Sequence, residues 1–239
     1  MSLTDAGILP GPRRPGPSDP AVLAAVEAAV PGITRARVSD RLGMAHDASH
    51  YLLTPQAVVV PESVAQVAAL MRAGLPLTFR SGGTSLSGQG VSEHLLVDTR
   101  RHFRGVEVLD GGARVRVQPG AVLRQVNARL AAYGRRLGPD PASESACTIG
   151  GVVANNSSGM TCGTHANTYR TLESMVVVLP SGTVIDTGAP DADARLRALE
   201  PALAKGLQRL RDRVRGNPAS VRRISAQFAI KNTMGYGLN

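Results

Sequence analysis

Residues 80 to 88 read Arg-Ser-Gly-Gly-Thr-Ser-Leu-Ser-Gly, a glycine- and hydroxyl-rich loop that directly follows the short strand-like run Pro76 to Arg80. Such a loop can turn several backbone N–H groups toward one point and so form a nest for phosphate. Ser81, Thr84, Ser85 and Ser87 add hydroxyl donors. Two familiar phosphate motifs are excluded. Gly83 and Gly88 carry the four-residue gap of a Walker loop, but Gln89-Gly90 replaces the required Lys-Ser/Thr. Gly88-Gln89-Gly90 opens like a dinucleotide fingerprint, yet Glu93 stands where its last glycine belongs. Taken alone, the stretch reads more simply as a surface turn without a ligand.

A chain of 239 residues can hold one large domain or two small ones, and its 43% hydrophobic content is ample for a core. With 3% aromatic residues and no Trp, that core must be built from Val, Leu, Ile and Ala. The net charge of +9 invites a nucleic-acid reading. Against it, nearly all the basic residues are Arg amid abundant Ala, Gly and Pro, as a coding bias produces, and aromatic groups for base stacking are scarce. No nucleic-acid partner is expected. Cys147 and Cys162 form no CxxC pair, and the histidines show no metal-ligand spacing around them. A reduced, soluble, cytoplasmic protein with no metal site and no transmembrane segment is expected. Peripheral association with the inner face of the membrane is left open.

Residues 1–17, punctuated by Pro and Gly, read as a disordered leader. Residues 18–44 read as an N-terminal helix and connection, with Ser18 or Asp19 as cap and Pro31-Gly32 as stop. Ala57 to Val60 is a buried strand, and Pro61-Glu62-Ser63 opens a helix that buries Val64, Val67, Leu70 and Met71 before Gly74 closes it. Pro76 to Arg80 and His94 to Asp98 complete a small α/β layer with the loop at strand ends, where ligands gather. Beyond it, Asp110-Gly111-Gly112 marks one hairpin and Pro180-Ser181-Gly182 another. Between them a helix turns Val122, Leu123, Val126 and Leu130 inward. From Ala192 to Gly216, leucines recur every three or four positions opposite an Arg-rich face. This reads as an amphipathic surface helix, with breaks at Pro201 and Gly206, or as a membrane- or partner-docking helix.

Cys147 to Gly159 is the second unusual stretch. Gly150 and Gly151, then Asn155 to Gly159, make a poor ordinary helix but suit close backbone approach to a flat, polar ligand. Two such clusters flanking a central β region can hold a pyrophosphate and a ring system between them.

The ordered set resembles one family. It comprises Pro61, Arg80 to Gly88, Pro119-Gly120, Pro139-Asp140-Pro141, Thr148 to Gly151, Asn155 to Gly159, Cys162 to Thr164 and Leu179 to Gly182. Together these are similar to the FAD-binding (PCMH-type) domain of vanillyl-alcohol-oxidase-like flavoproteins, in the D-lactate, glycolate and D-2-hydroxyglutarate dehydrogenase branch. Lys231 to Asn239 resembles a stretch of the long members fused to an iron–sulfur module. The likeness covers roughly residues 45 to 239.

The resemblance implies an α+β fold, with a small parallel α/β subdomain packed on a larger, mainly antiparallel β subdomain and FAD between them. It places the FAD-binding core at 45–190 and a basic helix with the end of the FAD domain at 191–239. It assigns the pyrophosphate to the backbone of Arg80, Ser81, Gly82, Gly83, Thr84, Ser85, Leu86 and Ser87. Thr148, Gly150, Gly151, Asn156, Ser157, Ser158 and Gly159 are assigned to the flavin and ribityl region, with Pro139 and Asp140 close to the ring. No His occurs between Arg80 and Gly90, so the FAD is expected to be non-covalent, and both cysteines are expected to be buried or inert. The implied chemistry is hydride transfer from a small D-2-hydroxy acid, such as D-lactate, to FAD.

No catalytic residue is assigned within the chain. The family's substrate-binding Arg and its base sit on a C-terminal cap, and His46, His50, His94, His102 and His165 read as ordinary surface residues. The family's Gly-Ser-Glu-Gly-Thr-Leu-Gly-type segment does not follow Asn239. The expectation is therefore a truncated chain that lacks its cap and any iron–sulfur partner, binds FAD weakly or not at all by itself, and is inactive alone. Alternatives are a non-catalytic FAD-holding subunit that works with a separate chain, a UDP-sugar reductase or aryl-alcohol oxidase relative, and a cationic nucleic-acid binder.

Overall fold

The computed structural model describes residues 16–230. Residues 1–15 of the expected leader and the Lys231 to Asn239 stretch lie outside the described residues.

Helix α1 (Pro20–Ala29) begins where Asp19 Oδ1 accepts the Ala21 N–H at 2.8 Å, with Pro20 in the first turn. It stops at Val30, before Pro31 and the left-handed Gly32. There follow β1 (Thr34–Arg35), α2 (Val38–Leu42), β2 (Ala57–Val59), α3 (Val64–Arg72), β3 (Leu77–Arg80) and β4 (Leu95–Asp98). The strands form one sheet in the order β1-β2-β4-β3. β2, β4 and β3 run parallel, and β1 is antiparallel at the edge.

Alternation along the strands gives the sheet two different faces. Ala57, Val59, Leu95 and Val97 pack with Val26 and Val30 of α1, Ile33, and Leu70 of α3. Val58, Val60 and Leu96 face the other way and are covered by Met44. That second face looks into a cleft, lined by Val58, Val60 and Met44, toward the rest of the chain.

Past the sheet, β5 (Val106–Leu109) and β6 (Arg114–Val117) make an antiparallel hairpin around Asp110, Gly111 and Gly112, all three left-handed. Helix α4 (Leu123–Ala131) lays Val126 and Leu130 on Val106, Val108, Val115 and Val117. Then come α5 (Ile149–Ala154), α6 (Thr168–Thr171), a second hairpin of β7 (Val176–Val178) and β8 (Val184–Asp186), and helices α7 (Ala192–Leu199), α8 (Pro201–Arg215) and α9 (Pro218–Phe228). The fold is α+β, and the antiparallel part is present as these two hairpins. No helix among the described residues is long and apolar enough to cross a membrane.

Three local expectations need correction. Val64, expected inward, is 40% exposed, because the first turn of α3 lies beyond the packed stripe of Val67, Ala68 and Leu70. The amphipathic helix breaks at Glu200-Pro201, but Gly206 is accommodated inside α8. A proline lacks the N–H and obstructs the preceding turn, whereas a glycine only weakens a helix. Gly150 and Gly151, in the stretch read as a poor helix, lie inside α5, which starts after Thr148 without a side-chain cap. No residue of α7, α8 or α9 is buried, and Leu199, Leu203, Leu207 and Leu210 remain partly exposed.

Leu70 is fully buried between α1 and the sheet. Leu70→Ala removes its contacts and leaves a cavity, so a loss of about 2–5 kcal/mol of unfolding free energy is expected in urea titration.

Candidate functional site

The loop after β3 is built around the Arg80 side chain. Arg80 is 8% exposed and shares a sheet rung with Asp98. Its guanidinium turns back into the protein, where Nη1 donates to Met44 O and Gly90 O, each at 3.1 Å. Gly83, left-handed at φ 66°, rides directly over this group, and a Cβ there would lie 2.5 Å from Nη2. The side chain therefore closes the base of the loop, leaving the peptide groups of the glycine turn to form its outer surface. Ser81, Gly82, Gly83, Thr84 and Ser85 are half-buried, whereas Leu86 and Ser87 are exposed. The Ser85 hydroxyl is used internally, donating to Gln89 Oε1 at 2.9 Å and accepting from the Ser87 N–H at 3.2 Å.

The second glycine cluster comes up against the first. Gly82 packs on the Ala146 carbonyl so closely that no side chain could stand there, and Gly151 lies beside the Ser81 hydroxyl. Helix α5 is held from below: the Ile149 N–H donates to Ala121 O at 3.0 Å and the Gly150 N–H to Pro119 O at 2.8 Å. This tertiary support offsets the poor helix propensity of the two glycines. Thr148, at the N-terminus of α5, is 2% exposed, and its Oγ1 is buried without a hydrogen-bond partner.

The remaining expected residues form a group on the far side of α5. Asn156 is left-handed, and its Oδ1 accepts the Tyr169 N–H at 3.0 Å. Ser157 O accepts the Thr168 hydroxyl at 2.7 Å. Pro139 is buried, and Asp140 packs against Gly159. The Asp140 carboxylate accepts the Thr161 hydroxyl at 2.5 Å and the N–H groups of Thr161 and Cys162. These bonds, the Thr161 hydroxyl foremost, hold its pKa below the ordinary aspartate value. Asn156, Ser157 and Asp140 thus shape the 156–162 turn, and Ser158 is half-buried within it. Both cysteines are buried, and burial pushes the Cys147 thiol pKa up. All five histidines are exposed.

Between the sheet and α5 lies a cleft of about 630 Å³. Val58, Val60, Val122 and Met44 supply apolar wall; Gly82, Gly120, Ala146 and Thr148 supply backbone and hydroxyl groups; Arg35, Arg37, Arg100, Arg101 and Arg104 bring positive charge. The turn after β4 carries three of these arginines, and Gly120 braces it by donating to Phe103 O at 2.7 Å. Asp98 grips Arg100 as a fork, Nε to Oδ1 and Nη2 to Oδ2, both 2.9 Å. Burial disfavours the charged Asp98, but the Arg100 and backbone hydrogen bonds outweigh it, and its pKa falls below the ordinary value. Arg37 is paired with Asp40 at 2.9 Å. Among the described residues, Arg35, Arg101 and Arg104 have no carboxylate within ion-pair distance.

An apolar wall, close backbone at Gly82 and Gly120, and three guanidiniums outside ion-pair distance of a carboxylate suit a ligand with an aromatic ring and more than one phosphate. Two cleft residues, Thr148 and Arg35, also carry buried polar atoms without a partner, Oγ1 and Nε. Such atoms are costly unless a ligand or water satisfies them.

Residues 55–188 match the family described as the FAD binding domain. The chain belongs to that family. It is 33% identical over 159 residues to D-2-hydroxyglutarate dehydrogenase of Haemophilus influenzae, covering 63% of this chain and 16% of that protein. It is 31% identical over 152 residues to glycolate oxidase subunit GlcD of Escherichia coli, covering 61% of this chain and 30% of that one. This FAD-binding chain therefore spans less than a third of the length of either relative. In fold it is similar to alkyldihydroxyacetonephosphate synthase, with TM-score 0.61, 20% identity, and coverage of 75% of this chain and 38% of that chain. It is also similar to chitooligosaccharide oxidase, with TM-score 0.58, 28% identity, and coverage of 74% and 38%.

Sequence reasoning passed over two parts of the site. The cleft arginines were assigned to coding bias, although Arg100, Arg101 and Arg104 cluster directly after a strand end, where ligands gather. The segment around Asp47 carries a weaker signal, an Asx-type turn in which Asp47 Oδ1 accepts the Ser49 N–H.

Two outcomes are expected. Gly82→Ala forces a methyl group onto the Ala146 carbonyl, and overpacking of this kind lowers thermal or urea stability by about 1–3 kcal/mol. For Asp98, the folded pKa is depressed, so its pairing stabilises the fold above the ordinary value of 3.8 and is lost as pH falls through the folded pKa. The stability gap between the parent chain and Asp98→Asn should be full at neutral pH and close at acid pH in pH-dependent unfolding.

Proposed function

We propose that this chain is the cofactor-holding part of a flavin-dependent oxidoreductase acting on a small D-2-hydroxy acid. The observation that carries the reading is the seating of Gly82 on Ala146, and of Ser81 beside Gly151, at the edge of a cleft with three unneutralised arginines. The backbone of Arg80 to Ser87 would hold the FAD pyrophosphate, with Arg35, Arg101 and Arg104 balancing its charge and Val58, Val60 and Val122 offering apolar surface to the adenine. Thr148, Gly150, Gly151, Asn156, Ser157, Ser158 and Gly159 would line the ribityl and flavin region, with Pro139 and Asp140 shaping its far side. Bound there, FAD supplies acceptance of a hydride from the carbon bearing the substrate hydroxyl.

The names of both relatives point to 2-hydroxy acids, 2-hydroxyglutarate and glycolate, and D-lactate belongs to the same chemical class. Among the described residues, the carboxylates lining the cleft are Asp40 and Asp98, and they are engaged by Arg37 and Arg100. In this reading a cap or partner subunit would supply the proton acceptor for the substrate hydroxyl, and an iron–sulfur module is a suitable onward electron carrier. A cytoplasmic location fits this role. The buried state of both cysteines and the lack of a His between Arg80 and Gly90 favour non-covalent attachment.

Titrating the purified chain with FAD should quench flavin fluorescence with one-to-one stoichiometry, and acid precipitation should leave all the flavin in the supernatant. Dye reduction with D-lactate, glycolate or D-2-hydroxyglutarate is expected to stay at background. Failure to bind FAD, together with strongly salt-dependent DNA binding, would replace this reading with the cationic one.

A further inference from the structure

Residues 44 to 53 form a strap under the first glycine loop. Ala45 near its start and Pro55 just beyond its end are buried, and the strap closes on itself through the His46–Leu52 bridge and the Leu53 N–H bond to Ala45 O at 3.1 Å. Its turn reaches the loop at three places. The Ala48 N–H donates to Gly83 O at 3.0 Å. The Tyr51 ring lies against Gly88, which is left-handed at φ 73°. Asp47 Oδ2 accepts the Gly90 N–H at 3.3 Å, while its Oδ1 accepts the Ser49 N–H at 2.8 Å.

The loop needs such external ties. Apart from the exposed Leu86, residues 81 to 90 are small or polar, so the loop buries little apolar surface of its own, and segments of that kind open easily. Arg80 secures the same strap from the other side, through Met44 O and Gly90 O. The strap precedes residue 55, where the match to the FAD binding domain family begins.

We infer that Asp47 is a positioning residue for the cofactor loop: its carboxylate, shared between the Ser49 and Gly90 N–H groups, holds residues 83 to 90 in the arrangement that receives the pyrophosphate. Asp47 would act through the loop backbone and not through contact with the ligand. A carboxylate is required because both of its oxygens accept from N–H groups. An asparagine matches only one of them and turns its NH₂ toward the other donor. The inference rests on the flavin reading above and adds to it the origin of the loop's shape.

The test uses the full chain with Asp47→Ala and Asp47→Asn, and compares three readouts: ADP and FAD affinity by calorimetry, amide hydrogen exchange over residues 82 to 90, and melting temperature. In Asp47→Ala, ADP and FAD should bind on the order of ten-fold more weakly, as expected from losing a charge-assisted hydrogen bond. Exchange over 82 to 90 should quicken, while exchange in β2 and β4 stays at the parent rate. Asp47→Asn should fall between the two, and it serves as the deciding variant if Asp47→Ala does not fold. Parent-like exchange over 82 to 90 in a folded variant would overturn the inference, as would faster exchange with unchanged ADP affinity. If the parent chain binds neither FAD nor ADP, the flavin reading fails, and the exchange comparison still decides whether Asp47 orders the loop.

Discussion

The contact between Gly82 and the Ala146 carbonyl is the constraint on which the rest of the site depends. It is a backbone-on-backbone contact, so it fixes separation more tightly than side-chain packing, which can adapt through rotamers. It joins a loop that leaves the parallel sheet to a segment that leads into α5. Everything above it follows: Ser81 meets Gly151, Thr148 is sealed from solvent, and the open face of the sheet with Val58 and Val60 becomes one wall of a cleft.

Charge is distributed on that cleft with a clear division of labour. Asp98 and Asp40 neutralise Arg100 and Arg37, and the buried Asp98 fork gives the turn after β4 a fixed shape. Arg80 is spent on carbonyl oxygens within the protein. Among the described residues, Arg35, Arg101 and Arg104 have no carboxylate within ion-pair distance. The sequence has 27 basic and 18 acidic residues, so the excess charge needs no special arrangement, yet part of it is gathered where two halves of the fold meet.

Much of this architecture was legible in local chemistry. Asp19 and Pro20 announce α1, Asp110-Gly111-Gly112 and Pro180-Ser181-Gly182 announce the hairpins, and the run Leu95-Leu96-Val97 announces a strand buried on both faces. The two glycine clusters stand out by composition alone, although Gly150 and Gly151 lie inside helix α5. What could not be read depends on contacts distant in sequence. Helix α5 forms because Pro119 and Ala121 accept its first N–H groups, which Gly150-Gly151 does not advertise. Which arginines are neutralised depends on where Asp40 and Asp98 arrive. The role of Asp47 is invisible until Gly90 is brought beside it.

The shared rung of Arg80 and Asp98 also restricts how such a chain can change length. Because successive strand residues point to opposite faces, removing one residue from β3 or β4 would turn one of this pair to the other face of the sheet and undo the loop base or the arginine fork. The 110–112 turn, by contrast, lies at the tip of a hairpin, with Asp110 and Gly111 open to solvent, where an added residue disturbs only its own surroundings. Insertions and deletions in relatives of this chain should therefore collect at that tip and avoid both strands that lead to the site.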